Sequence, residues 1–375
     1  MHLRKLLHTL ELLQGVLASS VEVPGEQGKS MTHRLTLSLA TVSAAAILAA
    51  TPALAQSRTF TVSWWGFNGD ALQEIIIDPF QEMCDCEVIF ETGNNSDRLS
   101  RLQLREGAGV DVIYLTDRFS QLGIELGLFQ PIDRAQVPNI DEIYDLAQAP
   151  QGEYGPAYSI GRVGIVYNAD EVEAPITSWD DLWREDLAGS VSLPGITTTA
   201  GPMVVLRAGA RAGVDAYEDP DAAFAEVAEI VPNVLTNYNT GSEMINLFST
   251  GEITVSMAQD FALGRLQAAV PSVVWADLED GAIATLNTIN IPTGSENVEL
   301  AHQFLNFVLS AEIQQELAER GVDAPVNNGV DLTEEQAAPW TYGDEMIAGL
   351  NRMDYVPMNA NLDDWINRWN EVFGM

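Results

Sequence analysis

From Arg58 onward, short β-branched and aromatic runs alternate with longer stretches whose apolar positions recur every three or four residues. TFTVSWW (59–65) predicts a strand and DALQEIIIDPFQEM (70–83) a helix broken late by Pro79. CEVIFETG (86–93) predicts a second strand. NSDRLSRLQLREG (95–107) predicts a helix capped by Asn95 or Ser96. VDVIYLTD (110–117) and RFSQLGIELGLF (118–129) complete a strand–helix series that implies a largely parallel sheet flanked by helices. A second series follows. GPAYSIGRVGIVYNADEV (155–172) holds two extended segments, and SWDDLWREDLAGSVSLPG (178–195) reads as a helix and a strand. Two helical stretches (199–213 and 221–234) lead to GEITVSMAQDFALGRLQ (251–267), a strand entering a helix. VVWADLEDGAIATLNTINIP (273–292) returns as strands, and 297–321 reads as one or two helices.

No long Pro/Gly linker separates the two series, so crossings near Ser159 and Thr288 are expected to be hinge strands. The expected fold class is α/β, with two lobes, each a mainly parallel sheet flanked by helices. Residues 56–159 and 288–375 are assigned to the first lobe and 160–287 to the second. The tail segment DDWINRWNEVF (363–373) places Trp365 and Trp369 one turn apart, an amphipathic helix expected to dock on the first lobe.

Ligands in such sheets sit at the carboxyl ends of strands. Trp64 and Trp65 stand at one such end. Neighbours on a strand face opposite ways, so one of the two rings is expected in the cleft and the other in the core. Asn68 lies in the following polar turn, Glu91 precedes the Gly93–Asn95 turn, and Thr116 and Asp117 end the third strand. Gln259 and Asp260 mark a strand-to-helix junction, and Asn287 falls at the return crossing. Each acid has a plain alternative: a helix cap for Asp117 and Asp260, a solvated surface position for Glu91.

The segments TSWDDLWREDLAGSVSLPG (177–195), YGPAYSIGRVGIVYN (154–168), VPNVLTNYNTGSEMINLFSTGEITVSMAQ (231–259) and INIPTGSENVELAHQFLNFVLSAEIQQELAERGVDAPVN (289–327) resemble periplasmic solute-binding proteins of the spermidine/putrescine-binding type. The resemblance covers most of 58–327 and implies a Venus-flytrap receptor serving an ABC importer. It implies a small-molecule solute, permease subunits of the inner membrane as partners, a monomer, and no cofactor or metal. Polyamine sites of that type pair rings with carboxylates, because a buried ammonium needs a partner and rings add apolar area and cation–π attraction. On the matching positions, Trp65, Thr116, Asp117 and Tyr238 are the implied ligand residues. The chain departs from the pattern between Leu193 and Leu206, where PGITTTAGPMVV has no acid; Thr198 and its neighbours offer hydroxyls instead. Arg162, beside the first hinge, can grip an anionic group with two bonds or join a structural salt bridge. The alternative solute is therefore zwitterionic or anionic: an amino acid derivative, an opine, an aminosulfonate or an aminophosphonate.

Composition narrows the classes. From Gln56 the chain has 14 arginines, no lysine and 51 acids, a net charge near −37, which repels nucleic acid and anionic lipid. A saline habitat and a genome preferring Arg to Lys both account for it. His302 is the only histidine after residue 55, and no nucleophile elbow, P-loop or dinucleotide fingerprint occurs, which argues against an enzyme. A carboxylate-pair hydrolase, a ferric-ion binder and a sugar binder remain as remote alternatives. MTHRLTLSLATVSAAAILAATPALAQ (31–56) reads as a secretory leader starting at Met31 and cleaved after Ala55, with residues 1–30 an upstream extension. Cys84 and Cys86, two apart on a strand, would stand roughly 6.5–7 Å apart, the far limit for a disulfide; packed free thiols are expected over a strained local bridge.

Overall fold

The computed structural model describes residues 58–66 and 68–374. The leader and its cleavage point lie outside the described residues. The first series runs β1 (Arg58–Trp64), α1 (Asp78–Cys84), β2 (Cys86–Thr92), α2 (Asn95–Leu104), β3 (Val112–Thr116), α3 (Asp117–Glu125) and the short β4 (Phe129–Gln130). Then come β5 (Ala157–Asn168), β6 (Val191–Pro194), α4 (Gly201–Ala212), α5 (Pro220–Ile230), β7 (Val234–Tyr238), α6 (Gly241–Ser249), β8 (Val255–Gln259), α7 (Leu263–Ala269), β9 (Val273–Trp275) and β10 (Ile283–Pro292). Three longer helices follow: α8 (Val298–Val308), α9 (Ala311–Glu319) and α10 (Tyr355–Phe373).

The strands form one mixed sheet in the order β2-β1-β3-β10-β5-β8-β6-β7, with β4 on β10 and β9 on β5. Strands β1, β2 and β3 are parallel, as are β6, β7 and β8. The antiparallel pair β5 and β10 joins the two parallel groups. The lobes therefore share a sheet, and the expected hinge positions Ser159 and Thr288 lie on its two central strands. Pairing slips by one residue at Tyr158, where Asn287 faces Ser159 and Thr288 faces Ala157. Such a bulge bends a strand and re-aims side chains beside it.

Each lobe has its own apolar core. The first packs Phe60, Trp64, Phe80, Tyr114 and Phe304; the second packs Trp179, Leu193, Val204 and Phe224. Strand β3 is buried along its whole length, the pattern of a central strand covered on both faces.

Several local expectations are corrected. Pro79 does not break the first helix: a π turn (Gln73–Ile77) follows Gly69–Leu72 and leads straight into α1. The wider turn accommodates a proline, which has no N–H and whose ring crowds the carbonyl four residues back. The cap of α2 is Asn94, which accepts from the Asp97 N–H at 2.8 Å, not Asn95 or Ser96. Residues 157–168 are one strand rather than two segments. Residues 178–187 form two 3₁₀ turns, the first closed by a Ser178–Asp181 capping box, because the segment is too short for a stable α-helix.

Cys84 and Cys86 form a disulfide. They are not on one strand: Cys84 ends α1, Asp85 takes a left-handed conformation (φ 49°), and Cys86 opens β2. That turn shortens the Cα separation to 5.2 Å, within bridging range.

The tail divides. Trp340 joins the first core, with Tyr342 packed against it. Helix α10 packs on both lobes: its Asn359 donates to the Arg118 carbonyl on α3 of the first, while Trp365 and Trp369 are buried with Tyr355 and Met358 in the second-lobe core that holds Phe224. Tyr217 stacks on Trp365 at 5.5 Å, and Arg368 pairs with Asp221 at 2.6 Å. No described helix is long and apolar enough to cross a membrane.

Candidate binding site between the lobes

A cavity of about 520 Å³ lies where the strand ends of both lobes meet. The first lobe contributes Trp65 after β1, Asn94–Ser96 at the start of α2, Thr116 and Phe119. The second contributes Thr197–Ala200, Tyr238–Ser242 and Gln259–Ala262. The central strands supply Ser159–Gly161, Thr285 and Asn287, and the return segment supplies Val322–Ala324 and Trp340.

Seven sequence-selected residues line this cavity: Trp65, Thr116, Thr198, Tyr238, Gln259, Asp260 and Asn287. Trp65 is half-buried, and its Nε1 donates to Asn95 Oδ1 at 3.0 Å. The same oxygen accepts from Arg98 Nη2 at 3.2 Å, and the Arg98 guanidinium stands over the indole at 5.0 Å. Trp64 is buried against Tyr114, ring centroids 4.4 Å apart. Tyr238 offers the cavity its ring, because its hydroxyl donates to the Met257 carbonyl at 2.7 Å and burial pushes its pKa upward.

Four others stand outside the lining. Asn68 is exposed beside Arg320 and Val322. Glu91 pairs with Arg105 at 2.7 Å and Arg101 at 3.5 Å. Asp117 is buried, and its carboxylate accepts from the backbone N–H of Leu286 (3.1 Å) and Arg118 (3.0 Å), fastening α3 to β10. Arg162 stacks over Trp275 at 4.9 Å. Trp275 fits there because Gly164, on the same face of β5, has no Cβ; a side chain at that position would run into the indole.

Asp260 is buried, and Thr341 Oγ1 donates to its Oδ2 at 2.5 Å. Its Oδ1 sits where a Cβ on Gly161 would come within 2.7 Å, so that position of β5 admits only glycine without displacing the carboxylate. Desolvation pushes the Asp260 pKa up, against the Thr341 hydroxyl and the Arg162 backbone N–H, which favour the charged form.

The sequence reading missed Asp323. It lines the same cavity at 8% exposure, and its Oδ2 has no hydrogen-bond partner. Burial raises its pKa to about 7, and nearby Asp260 adds to the rise. Two buried carboxylates thus face one cavity walled by Trp65, Phe119, Tyr238 and Trp340. An isolated buried carboxylate is costly, and an incoming ammonium group would satisfy both the charge and the open oxygen. The available signal was local: Asp323 is an acid inside the otherwise uncharged stretch GVDAPV.

The comparisons agree with this architecture. The family model for bacterial extracellular solute-binding proteins matches residues 76–343. The chain belongs to that family. This solute-binding protein is 24% identical over 252 residues to the spermidine/putrescine-binding periplasmic protein of Salmonella typhimurium, covering 65% of this chain and 71% of the relative. It is 24% identical over 312 residues to the putrescine-binding periplasmic protein SpuD of Pseudomonas aeruginosa, covering 77% and 84%. A crystal structure of an ABC transporter protein from Clostridium perfringens superposes with a TM-score of 0.76 at 37% identity, covering 84% of this chain and 99% of that one.

Proposed function

We propose that this protein is the receptor component of an ABC importer, exported by its leader, and that it captures a small alkylammonium solute of the polyamine class, putrescine or spermidine. The observation that carries the reading is the pair of buried carboxylates, Asp260 and Asp323, in a ring-walled cavity. The ammonium meets the carboxylates and the methylene chain lies against the rings, Trp65 first among them. The relatives named for spermidine and putrescine support the same class. Hinge motion about β5 and β10 opens and closes the cavity, and delivery follows because the permease meets the closed, loaded form.

A second reading keeps the receptor and changes the far end of the solute. Arg265 lines the mouth, is exposed, and makes no hydrogen bond or ion pair with the described residues. It favours a zwitterion whose ammonium faces the carboxylates and whose anion faces Arg265, in place of the grip by Arg162.

The test is titration calorimetry on the chain from Gln56 with putrescine, spermidine, ω-amino acids, opines and aminosulfonates. Binding of polyamines over zwitterions supports the first reading, and the reverse order supports the second. Binding of sugars or ferric ion with no amine binding overturns both.

A further inference from the structure

Three interlobe contacts converge on the start of α3, and the central residue, Arg118, stands outside the cavity lining. Arg118, in the first turn of α3, is buried at 2% exposure. Its Nη1 donates across the cleft to the Thr198 carbonyl at 2.6 Å and, more weakly, to the Thr197 carbonyl at 3.3 Å. Two residues earlier, Thr116 Oγ1 and Thr199 Oγ1 share a hydrogen bond of 3.2 Å. The Arg118 carbonyl in turn accepts from Asn359 Nδ2 at 3.3 Å, on α10, whose tryptophans are rooted in the second lobe. The start of α3 is therefore held by the opposite lobe from two sides.

The charge of Arg118 makes this more than packing. Among the described residues the guanidinium has no carboxylate within ion-pair distance; the Asp117 carboxylate is occupied by the Leu286 and Arg118 N–H groups. Its partners are the two carbonyls and the Phe119 ring, 4.9 Å away, and its Nε has none. A buried cation with so few partners is tolerated only while those carbonyls stay in place. Opening the lobes would hydrate it, so the net bias toward closure is modest, which suits a receptor that must reopen to release its cargo.

We infer that Arg118 is a positioning residue that latches the Thr197–Thr199 loop of the second lobe onto the first, so that the closed form is populated before any solute binds. This goes beyond the proposed function and does not depend on which solute is captured. One net charge-assisted hydrogen bond biases the closed-to-open ratio by about tenfold.

The test is small-angle scattering of the chain from Gln56, wild type, Arg118→Met and Arg118→Lys, each without solute and with excess putrescine. The ligand-free wild type should scatter as a compact particle that putrescine leaves nearly unchanged. Ligand-free Arg118→Met should be larger and contract when putrescine is added, and Arg118→Lys, which still donates to a carbonyl, should lie nearer the wild type. In stopped-flow tryptophan fluorescence, Arg118→Met should raise association and dissociation rates together, which simple destabilisation would not do. A ligand-free wild type as expanded as Arg118→Met overturns the latch. If Arg118→Met does not fold, a ligand-free wild type that contracts markedly when putrescine is added overturns the latch equally. If putrescine does not bind, the polyamine reading fails, and the ligand-free curves alone still decide the latch.

Discussion

Trp65 is tied to Asn95: its Nε1 donates to the amide oxygen at 3.0 Å, linking the end of β1 to the first turn of α2 at the cavity wall. The same amide oxygen lies 3.4 Å from the Thr116 N–H, at the end of β3. Three strand or helix ends are thereby held in one arrangement, and the indole is oriented before a solute arrives. Replacing Trp65 with Ala should weaken putrescine binding by about tenfold or more, through lost apolar area and cation–π attraction. The melting temperature should change little, because Trp64 and not Trp65 fills the core. Calorimetry beside thermal unfolding separates the two effects, and unchanged affinity would place the ring outside the contact surface.

The two cavity carboxylates should not be equivalent. Asp260 already accepts from Thr341, whereas Asp323 has an oxygen without a partner. Asp323→Asn should reduce affinity for cationic solutes by at least about tenfold, since hydrogen bonds to charged groups contribute roughly 1.5–3 kcal/mol. Neutral analogues should lose far less. Equal losses for charged and neutral solutes would remove the ammonium contact.

Protonation gives a sign that can be checked. Asp323 and Asp117 both have folded pKa values of about 7, above an ordinary aspartate, because burial disfavours their charge. The folded state therefore holds protons that the unfolded state has already released. The stabilisation these groups contribute is complete below about pH 4 and is lost as pH rises through about 7. Ligand-free protein should thus lose stability from these two groups between about pH 4 and 8. Affinity for putrescine should move the other way, rising over the same range as Asp323 ionises. Asp323→Asn should flatten the affinity profile. Asp117→Asn should flatten only the stability profile, because Asp117 stands outside the cavity lining. Matching effects from both variants would refute this division.

Gly161→Ala tests the close approach beside Asp260. The added Cβ would stand 2.7 Å from Oδ1 and 3.2 Å from the Thr285 hydroxyl, so the carboxylate must shift. Solute binding should fall by about tenfold or more with the fold retained, since a displaced carboxylate loses its alignment with the ammonium. Wild-type affinity would show that Asp260 has room to move without consequence.

The docking of α10 predicts where its tryptophans matter. Trp369→Ala should cost about 3–5 kcal/mol of stability, the usual range for emptying a large buried ring. The protection lost in hydrogen exchange should fall on α4 and α5 of the second lobe. Loss confined to the first-lobe helices would contradict the packing of Trp365 and Trp369 beside Phe224.

Much of this protein was legible in the chain because strand and helix periods are local. The alternation of elements specified the α/β class. The rule that strands deliver residues at their carboxyl ends located Trp65 and Thr116 on one side of the cavity and Gln259 and Asp260 on the other, and the two-residue strand period set Trp64 and Trp65 on opposite faces. What the tertiary structure decided were the meetings of distant segments. Asp323 and Trp340 reach the cavity only because the return segment folds back beside Asp260. Arg162 turns from the cleft because its neighbour Gly161 faces Asp260 and the next residue of a strand faces the other way, where Gly164 makes room for Trp275. The cysteines bridge because one left-handed residue changes the distance that a regular strand would set. The tail buries its tryptophans around Phe224 of the second lobe while Asn359 reaches α3 of the first, because an amphipathic pattern states that a helix has a face to bury but not which surfaces will cover it.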